Sequence, residues 1–388
     1  MWIERKIKNR ILELAKTRPA VVVTGARQVG KTSLLQRIFP SYTHVTLDLP
    51  GVAEQAQSDS ELFLQTHSAP LFIEEVKYAP HLFRYLKLDI DRHRNERGRF
   101  VLSGSQKFLL MREVADSLAG RASVLELEGL SYSEVKGCAN GNLWNPEQFL
   151  LRGTFPELYA SPEIDRREFY RSYLVTYLER DVRALLNVGS LRDFERYIRA
   201  CALRSGQMLN KSEIARDVGI SPSTAGEWLS VLEASNQVYL LEPWFSNRTK
   251  SVVKTPKLYW ADPGLLTFLV GIHTLEDLLL SPLKGAIWES TVFSEFRKRQ
   301  AFSAEERELF YFRDRGLETD FLIHRGGRFE LFEVKWTENP SPSHAAPLHK
   351  VAKILGPENV IRKSIISRAP ARYTMNDDVE ILPFDAEW

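Results

Sequence analysis

The sequence predicts an α/β fold: a parallel sheet carrying a phosphate-binding loop, then a helical segment, then a second and smaller α/β unit. Three observations point to it. A β-branched run, Ala20-Val-Val-Val-Thr24, leads straight into Gly25-Ala-Arg-Gln-Val-Gly30-Lys31-Thr32 and then into the helical Ser33–Phe39. The stretch 163–207 places apolar residues at helical spacing, with charges opposite. Toward the C-terminal end, the strand-like runs Phe321–Ile323 and Arg328–Lys335 flank Arg325-Gly-Gly327, a hairpin signal.

The loop comes first. Strand, glycine loop and helix stand in the order that a triphosphate site needs. The glycines let backbone N–H groups turn inward around a β-phosphate, and the helix start adds its positive end. Lys31 is placed to reach the β- and γ-oxygens, and Thr32 offers a hydroxyl to magnesium. Gly25, Ala26, Arg27, Gln28, Val29, Gly30, Lys31, Thr32 and Ser33 are therefore the expected ATP contacts, with Mg2+ as the accompanying ion. A second strand, Pro70–Ile73, ends in Glu74-Glu75, where a doubly wound sheet presents acids at its carboxyl edge. Glu74 is expected to hold the metal and Glu75 to polarise the attacking water. A third strand, Arg99–Leu102, runs into Ser103-Gly-Ser105-Gln106, so Ser103 and Ser105 are either γ-phosphate sensors or an ordinary polar turn. Arg121, after the helical stretch ending Ser117-Leu-Ala-Gly120, is either a finger for a neighbour's nucleotide or a surface ion-pair partner.

In the middle segment, Tyr170, Tyr173, Leu174, Tyr177 and Leu178 form an aromatic stripe that reads most simply as core. Asn210 caps a helix over Lys211–Asp217, Gly219 makes the turn, and Ser221-Pro222 opens a second helix to about Ser235. A helix-turn-helix results. Strands Gln237–Leu241 and Lys257–Trp260 enclose a basic hairpin with Arg248, Lys250 and Lys254, the expected nucleic-acid contacts of a winged element. The exposed start of the second helix carries Glu227 and no cation, so the same module also reads as a packing or subunit contact.

At the C-terminal end, Glu289 falls in a helix over Gly285–Gln300, and Glu318-Thr-Asp320 opens the strand Phe321–Ile323. Strand alternation places Glu333 and Lys335 on one face, and the hairpin brings Asp320 beside them. Glu289, Asp320 and Glu333 are thus candidate metal ligands, with Lys335 as a catalytic lysine at a scissile phosphate. An acid–lysine pair at a strand end is equally the makings of a surface salt bridge. A helix after Thr337–Pro342 and strands over Asn359–Ile366 and Val379–Pro383 complete the unit.

Several stretches together resemble a known family. They are GARQVGKTSLL (25–35), LFIEEVKYAP (71–80), VLSGSQ (101–106), SLAGRA (117–122), YLERDVR (177–183), LNKSEIARDVGIS (209–221), KTPKLYWADPGLL (254–266), GAIWES (285–290), and ETDFLI with LFEVK. The chain from Val21 onward is similar to the bacterial and archaeal AAA-type P-loop ATPases that carry a C-terminal nuclease-like domain. The resemblance implies an AAA-type P-loop NTPase sheet at 1–150, a helical lid and winged helix at 151–270, and a PD-(D/E)xK nuclease-like domain at 271–388. It also implies that Gly153 and Pro156, in Arg152-Gly-Thr-Phe-Pro156, lie in a lid over adenine. Two departures stand out: Glu74 where the family has Asp, and Thr154 within a Gly-Gly-Phe-Pro type motif. DNA ahead of RNA is the expected partner, and a homo-oligomer is expected with it.

Composition sets the outer limits. The chain has 388 residues, too many for one ordinary core, and 44% hydrophobic with 26% charged residues is a globular balance. Its longest apolar runs, such as Ala20–Val23, are far short of a membrane span, and no signal peptide is evident, so a cytoplasmic protein without a membrane partner is expected. Cys138 and Cys201 have no metal-ligand spacing. A net charge of +2 does not mark a nucleic-acid binder by itself.

Overall fold

The computed structural model describes residues 1–105, 107–138, 144–177, 191–245, 255–303, 305, 307–375, 378–386 and 388. Five parallel strands form the first sheet: β1 (Ala20–Thr24), β2 (Thr43–Thr46), β3 (Leu71–Glu74), β4 (Phe100–Gly104) and β5 (Ala122–Glu126). Their order is β2-β3-β4-β1-β5. Since β1 is buried at every position, both faces of the sheet must be covered. Val21, Val23, Phe72 and Val101 enter one core, while Val22, Ile73 and Leu102 enter another, as the two-residue period of a strand requires. All five strands point their carboxyl ends at the same edge. That edge carries the loop after β1, the acids after β3 and Ser105 after β4.

The middle segment opens with helices Pro146–Arg152, Pro156–Ala160, Arg166–Tyr177 and Leu191–Ala202. Tyr170, Tyr173 and Leu174 are buried, as the stripe predicts, whereas Leu178 lies outside the described residues, as do 179–183 of the YLERDVR motif. The expected helix-turn-helix forms. Asn210 Oδ1 accepts from Glu213 N at 3.1 Å, Gly219 turns the chain at φ +85°, and Ser221 Oγ caps the helix Pro222–Ala234. The short β6 (Gln207–Met208) pairs antiparallel with β8 (Lys257–Trp260), which pairs with β7 (Val238–Leu241). Arg248, Lys250 and Lys254 lie outside the described residues.

The last segment is a six-stranded mixed sheet: β9 (Glu308–Asp314), β10 (Leu317–Arg325), β11 (Arg328–Val334), β12 (Val360–Ser367), β13 (Tyr373–Thr374) and β14 (Glu380–Pro383). The order is β13-β14-β12-β11-β10-β9, with β9, β10 and β11 antiparallel and β11, β12 and β14 parallel. Gly326 and Gly327, at φ +55° and +81°, make the two-residue turn between β10 and β11. Glu318 and Asp320 do not precede a strand but lie within β10, which pairs with β9 as early as Leu317.

One helix joins all three segments. Lys284–Phe302 buries apolar side chains around most of its circumference, including Trp288, Phe293 and Phe296, and also buries Glu295 and Lys298. Those charges are satisfied: Glu295 accepts from Tyr132 N at 3.1 Å, and Lys298 donates to Leu130 O at 3.0 Å and to Glu295 at 3.1 Å. Between them in sequence, Arg297 lies 3.4 Å over the Tyr239 ring of β7 and 3.1 Å from Glu128, just beyond β5. Tyr239 also donates to Glu126. Among the described residues no helix is long and apolar enough to cross a membrane.

Candidate active site

The loop after β1 packs without spare room. A Cβ on Gly25 would overlap the carbonyl oxygen of Leu127, and Gly25 itself sits at φ +145°. Only glycine lets the chain pass so close. Beyond it, Arg27, Gln28, Gly30, Lys31, Thr32 and Ser33 line a cavity of about 790 Å3, whose other walls include Glu75, Ser105 and Pro156. Ala26 and Val29 face a small cavity on the far side, toward Thr154 and Tyr239. Spacing alone had joined these loop residues to the acids of β3 and the serine of β4, and the fold brings them to one place.

Lys31 is buried, with Nζ donating to the carbonyl oxygens of Gly25 at 2.9 Å and Ala26 at 2.8 Å. Burial pushes its ammonium down to about 8, the Glu75 carboxylate opposing the shift. Only the ammonium form attracts phosphate. Below about pH 8 that charge is present before nucleotide arrives; above it, binding must take up a proton. Affinity for Mg-ADP is therefore expected to fall as pH rises beyond about 8, by at most roughly tenfold per unit. Titration calorimetry in buffers of different ionisation heat measures both the affinity and the proton uptake. A flat affinity up to about pH 9.5 would contradict this account.

The Thr32 hydroxyl donates to Glu74 Oε1, and His44 Nε2 lies 3.3 Å from Glu74 Oε2. A hydroxyl and a carboxylate in contact at the head of the loop helix are the hard oxygen donors that magnesium takes. The residues present fit the ion, and the extra methylene of Glu74 does not keep it from Thr32. Glu75 stands in the left-handed region at φ +51°, where non-glycine residues are held by their surroundings and cluster at functional sites. Its carboxylate pairs with Lys77 at 3.1 Å and accepts from Ser105 N and Oγ at 3.4 Å. Burial opposes its charge, yet Lys77 and Lys31 outweigh that and hold it below the usual glutamate range. The group is ionised and aimed. Lys77, 3.2 Å from Ser105 Oγ, was not picked out by sequence reasoning, although it stands two residues beyond the acid pair.

Other expected residues fall elsewhere. Gly153 does not line the cavity: it sits at φ +82°, where a Cβ would overlap the Tyr170 hydroxyl and crowd Asp262. Thr154 explains its own departure from the motif, since its N and Oγ1 donate to Asp262 Oδ2 at 2.6 and 2.7 Å. Tyr170 and Leu265 N complete this buried carboxylate at 2.8 and 2.6 Å. Pro156 does line the cavity. Ser103 is buried within β4, and Ser105 alone of the two reaches the cavity wall. Arg121 precedes β5 and so stands at the amino edge of the sheet, opposite the loop. There it makes a bidentate pair with Asp91, both contacts at 2.9 Å.

The C-terminal acids do gather. Val334 N donates to Asp320 Oδ2 at 2.8 Å, and Lys335 Nζ pairs with Glu333 Oε1 at 2.7 Å. Lys257 of β8 also enters the patch from the neighbouring segment. Its buried Nζ lies 2.6 Å from Glu318 and 3.1 Å from Glu289, and Tyr259 OH donates to Glu289 at 2.6 Å. Burial opposes the Lys257 charge, but Glu289, Asp320 and Glu318 hold it above its ordinary value. Burial and the Asp320 charge push Glu289 up to about 7 and Glu333 up to about 8. Glu289, Asp320 and Glu333 thus share a patch with Lys335, but no three His, Cys, Asp or Glu side chains among the described residues are grouped as a metal site. Of these three acids, Lys257 contacts Glu289 directly, while Glu333 pairs with Lys335.

A phosphate loop on β1, an acid pair ending β3 and a five-stranded parallel sheet define a P-loop ATPase of AAA type. Three family models match the chain: an AAA domain over residues 17–136, a domain of unknown function (DUF8612) over 144–276, and another (DUF4143) over 284–386. The chain is 31% identical over 389 residues to the uncharacterized protein Rv2008c of Mycobacterium tuberculosis, covering 99% of this chain and 85% of that one. It belongs to the family of that protein. An uncharacterized protein of Methanocaldococcus jannaschii, MJ1544, is 24% identical over 417 residues, covering 98% and 90%. Among solved structures, the Walker-type ATPase of Pyrococcus abyssi is similar at a TM-score of 0.47 and 18% identity, covering 69% of this chain and 96% of that one.

Proposed function

We propose that this chain hydrolyses Mg-ATP and uses the nucleotide to switch its contacts with DNA, without cutting it. What carries the hydrolytic half is one juxtaposition: Lys31, Glu75 and Ser105 wall a single cavity, and Thr32, on the same wall, touches Glu74. Lys31 and the loop amides bind and orient the phosphates. Thr32 and Glu74 would hold magnesium, which when bound offsets charge on the phosphate oxygens. Glu75, ionised and fixed by Lys77 and Ser105, takes the position of the group that polarises the attacking water. Ser105 stands beside it as the γ-phosphate contact, and Pro156 lines the same cavity.

The helix-turn-helix of 211–234, with its antiparallel strands, supports a winged-helix contact to DNA in which Arg248, Lys250 and Lys254 neutralise phosphates. The ion pair of Glu289 with Lys257 favours the non-cleaving reading over a PD-(D/E)xK nuclease with Glu289, Asp320, Glu333 and Lys335 as its centre. Turnover and strand integrity, measured together on single-stranded, duplex and branched DNA with magnesium or manganese, test the proposal. DNA is expected to change the ATP turnover several-fold while every strand stays intact. Cleavage that disappears in Asp320→Ala would overturn the non-cleaving half, and turnover indifferent to every DNA would overturn the partner.

A further inference from the structure

Ahead of the first sheet, Arg5 is buried to 4% exposure and lies outside the candidate site. A buried guanidinium needs a counter-charge and acceptors for its five N–H donors. Glu134 supplies the charge, with Oε1 3.3 Å from Arg5 Nε. That carboxylate is itself fixed by Lys6 N at 2.6 Å and Ser131 N at 2.8 Å. Three further donors go to backbone: Nη2 to the carbonyl oxygens of Glu128 at 2.7 Å and Gly129 at 3.2 Å, and Nη1 to that of Val29 at 2.8 Å.

The last contact bears on the phosphate loop. The Val29 carbonyl and the Gly30 N–H belong to one planar trans peptide, so they point in opposite directions. Gly30 lies on the cavity and Arg5 does not. Because Gly30 sits at φ +89°, where glycine moves freely between backbone states, local sterics do not choose which way this peptide faces. Something outside the loop must hold it.

We infer that Arg5 is a positioning residue for the nucleotide site: by gripping the Val29 carbonyl from behind, it keeps the Gly30 N–H turned toward the phosphates of a nucleoside di- or triphosphate. The inference rests on the loop being a nucleotide site. Arg5 touches no substrate; it acts through the peptide it anchors.

Four proteins test it: wild type, Arg5→Gln, Arg5→Lys and Glu134→Gln, each titrated with Mg-ADP by calorimetry, melted, and examined for the 15N-glycine amide resonance of Gly30. In wild type the Gly30 amide moves downfield when Mg-ADP is added. Arg5→Gln is too short to reach Val29, so Mg-ADP affinity should fall about tenfold or more and the downfield move should vanish. Arg5→Lys keeps charge and a donor, and should fall between the two. Glu134→Gln, which leaves the Val29 contact in place, should melt earlier yet bind within about twofold of wild type. Wild-type affinity and amide shift in Arg5→Gln overturn the inference, as does a loss of affinity across the set that simply follows the melting temperatures. Should Arg5→Gln not fold, Arg5→Lys decides, and unchanged affinity and shift there overturn it. No binding heat in wild type would instead overturn the nucleotide site itself.

Discussion

Glu75→Gln is expected to lower ATP turnover about 10³-fold while Mg-ATP affinity stays within roughly threefold of wild type. The substitution keeps size and hydrogen-bonding reach but removes the ionised oxygen that Lys77 and Lys31 maintain in spite of burial. Because the carboxylate acts on water as it attacks, its loss falls on the chemical step and not on binding. Single-turnover hydrolysis beside a calorimetric titration separates the two. If the variant hydrolyses at the wild-type rate, water is activated by another group and Glu75 serves only to hold Lys77.

Lys31→Met is expected to remove the grip on the phosphates themselves. A charge-assisted contact to a transferring phosphoryl group contributes roughly 2–4 kcal/mol, so affinity should drop about 30-fold or more and turnover further still. Stability should move the other way. The folded protein holds this ammonium at about 8, below its ordinary value, so the charged form is disfavoured by folding. Its cost is present in full below about pH 8 and fades as pH rises toward the unfolded value. At neutral pH the nucleotide-free variant should therefore melt no earlier than wild type. A lower melting temperature together with unchanged affinity would remove Lys31 from the site and leave it a packing role.

Much of this was legible because the nucleotide site is local. Gly25 to Ser33 is a continuous run, and the acids and Ser105 each close a strand whose carboxyl end was predictable. Elements without such punctuation were missed. β2 buries only Val45 and no residue of β5 is fully buried, so neither shows an apolar run, and β9, Glu308–Asp314, is a strand whose edge position allows exposed residues at both ends. Contacts across long sequence distances were harder. Lys257 opens the apolar strand Lys257–Trp260 between Pro256 and Leu258, and its neighbours carry no partner for it; its acids lie 32 and 61 positions on. Thr154 looked like a fault in a motif until Asp262, 108 residues later, supplied a partner for both its donors. Arg121 illustrates the reverse, for a cation after a helix carries no label saying which edge of a sheet it will occupy.

The helix Lys284–Phe302 has a further consequence. Glu126 and Glu128 belong to the segment that holds nucleotide, but the cation beside them, Arg297, is lent by the last segment, and the same helix sends Glu289 to the lysine of the middle one. Each segment's electrical balance is completed by a loan from another. Pulling the last segment away would leave uncompensated carboxylates beside the turn at Leu127 that abuts the phosphate loop. The three segments are thus not beads on a string that can be studied one at a time: a cut between them would unbalance the charges next to the phosphate loop even if it touched no residue of the loop itself.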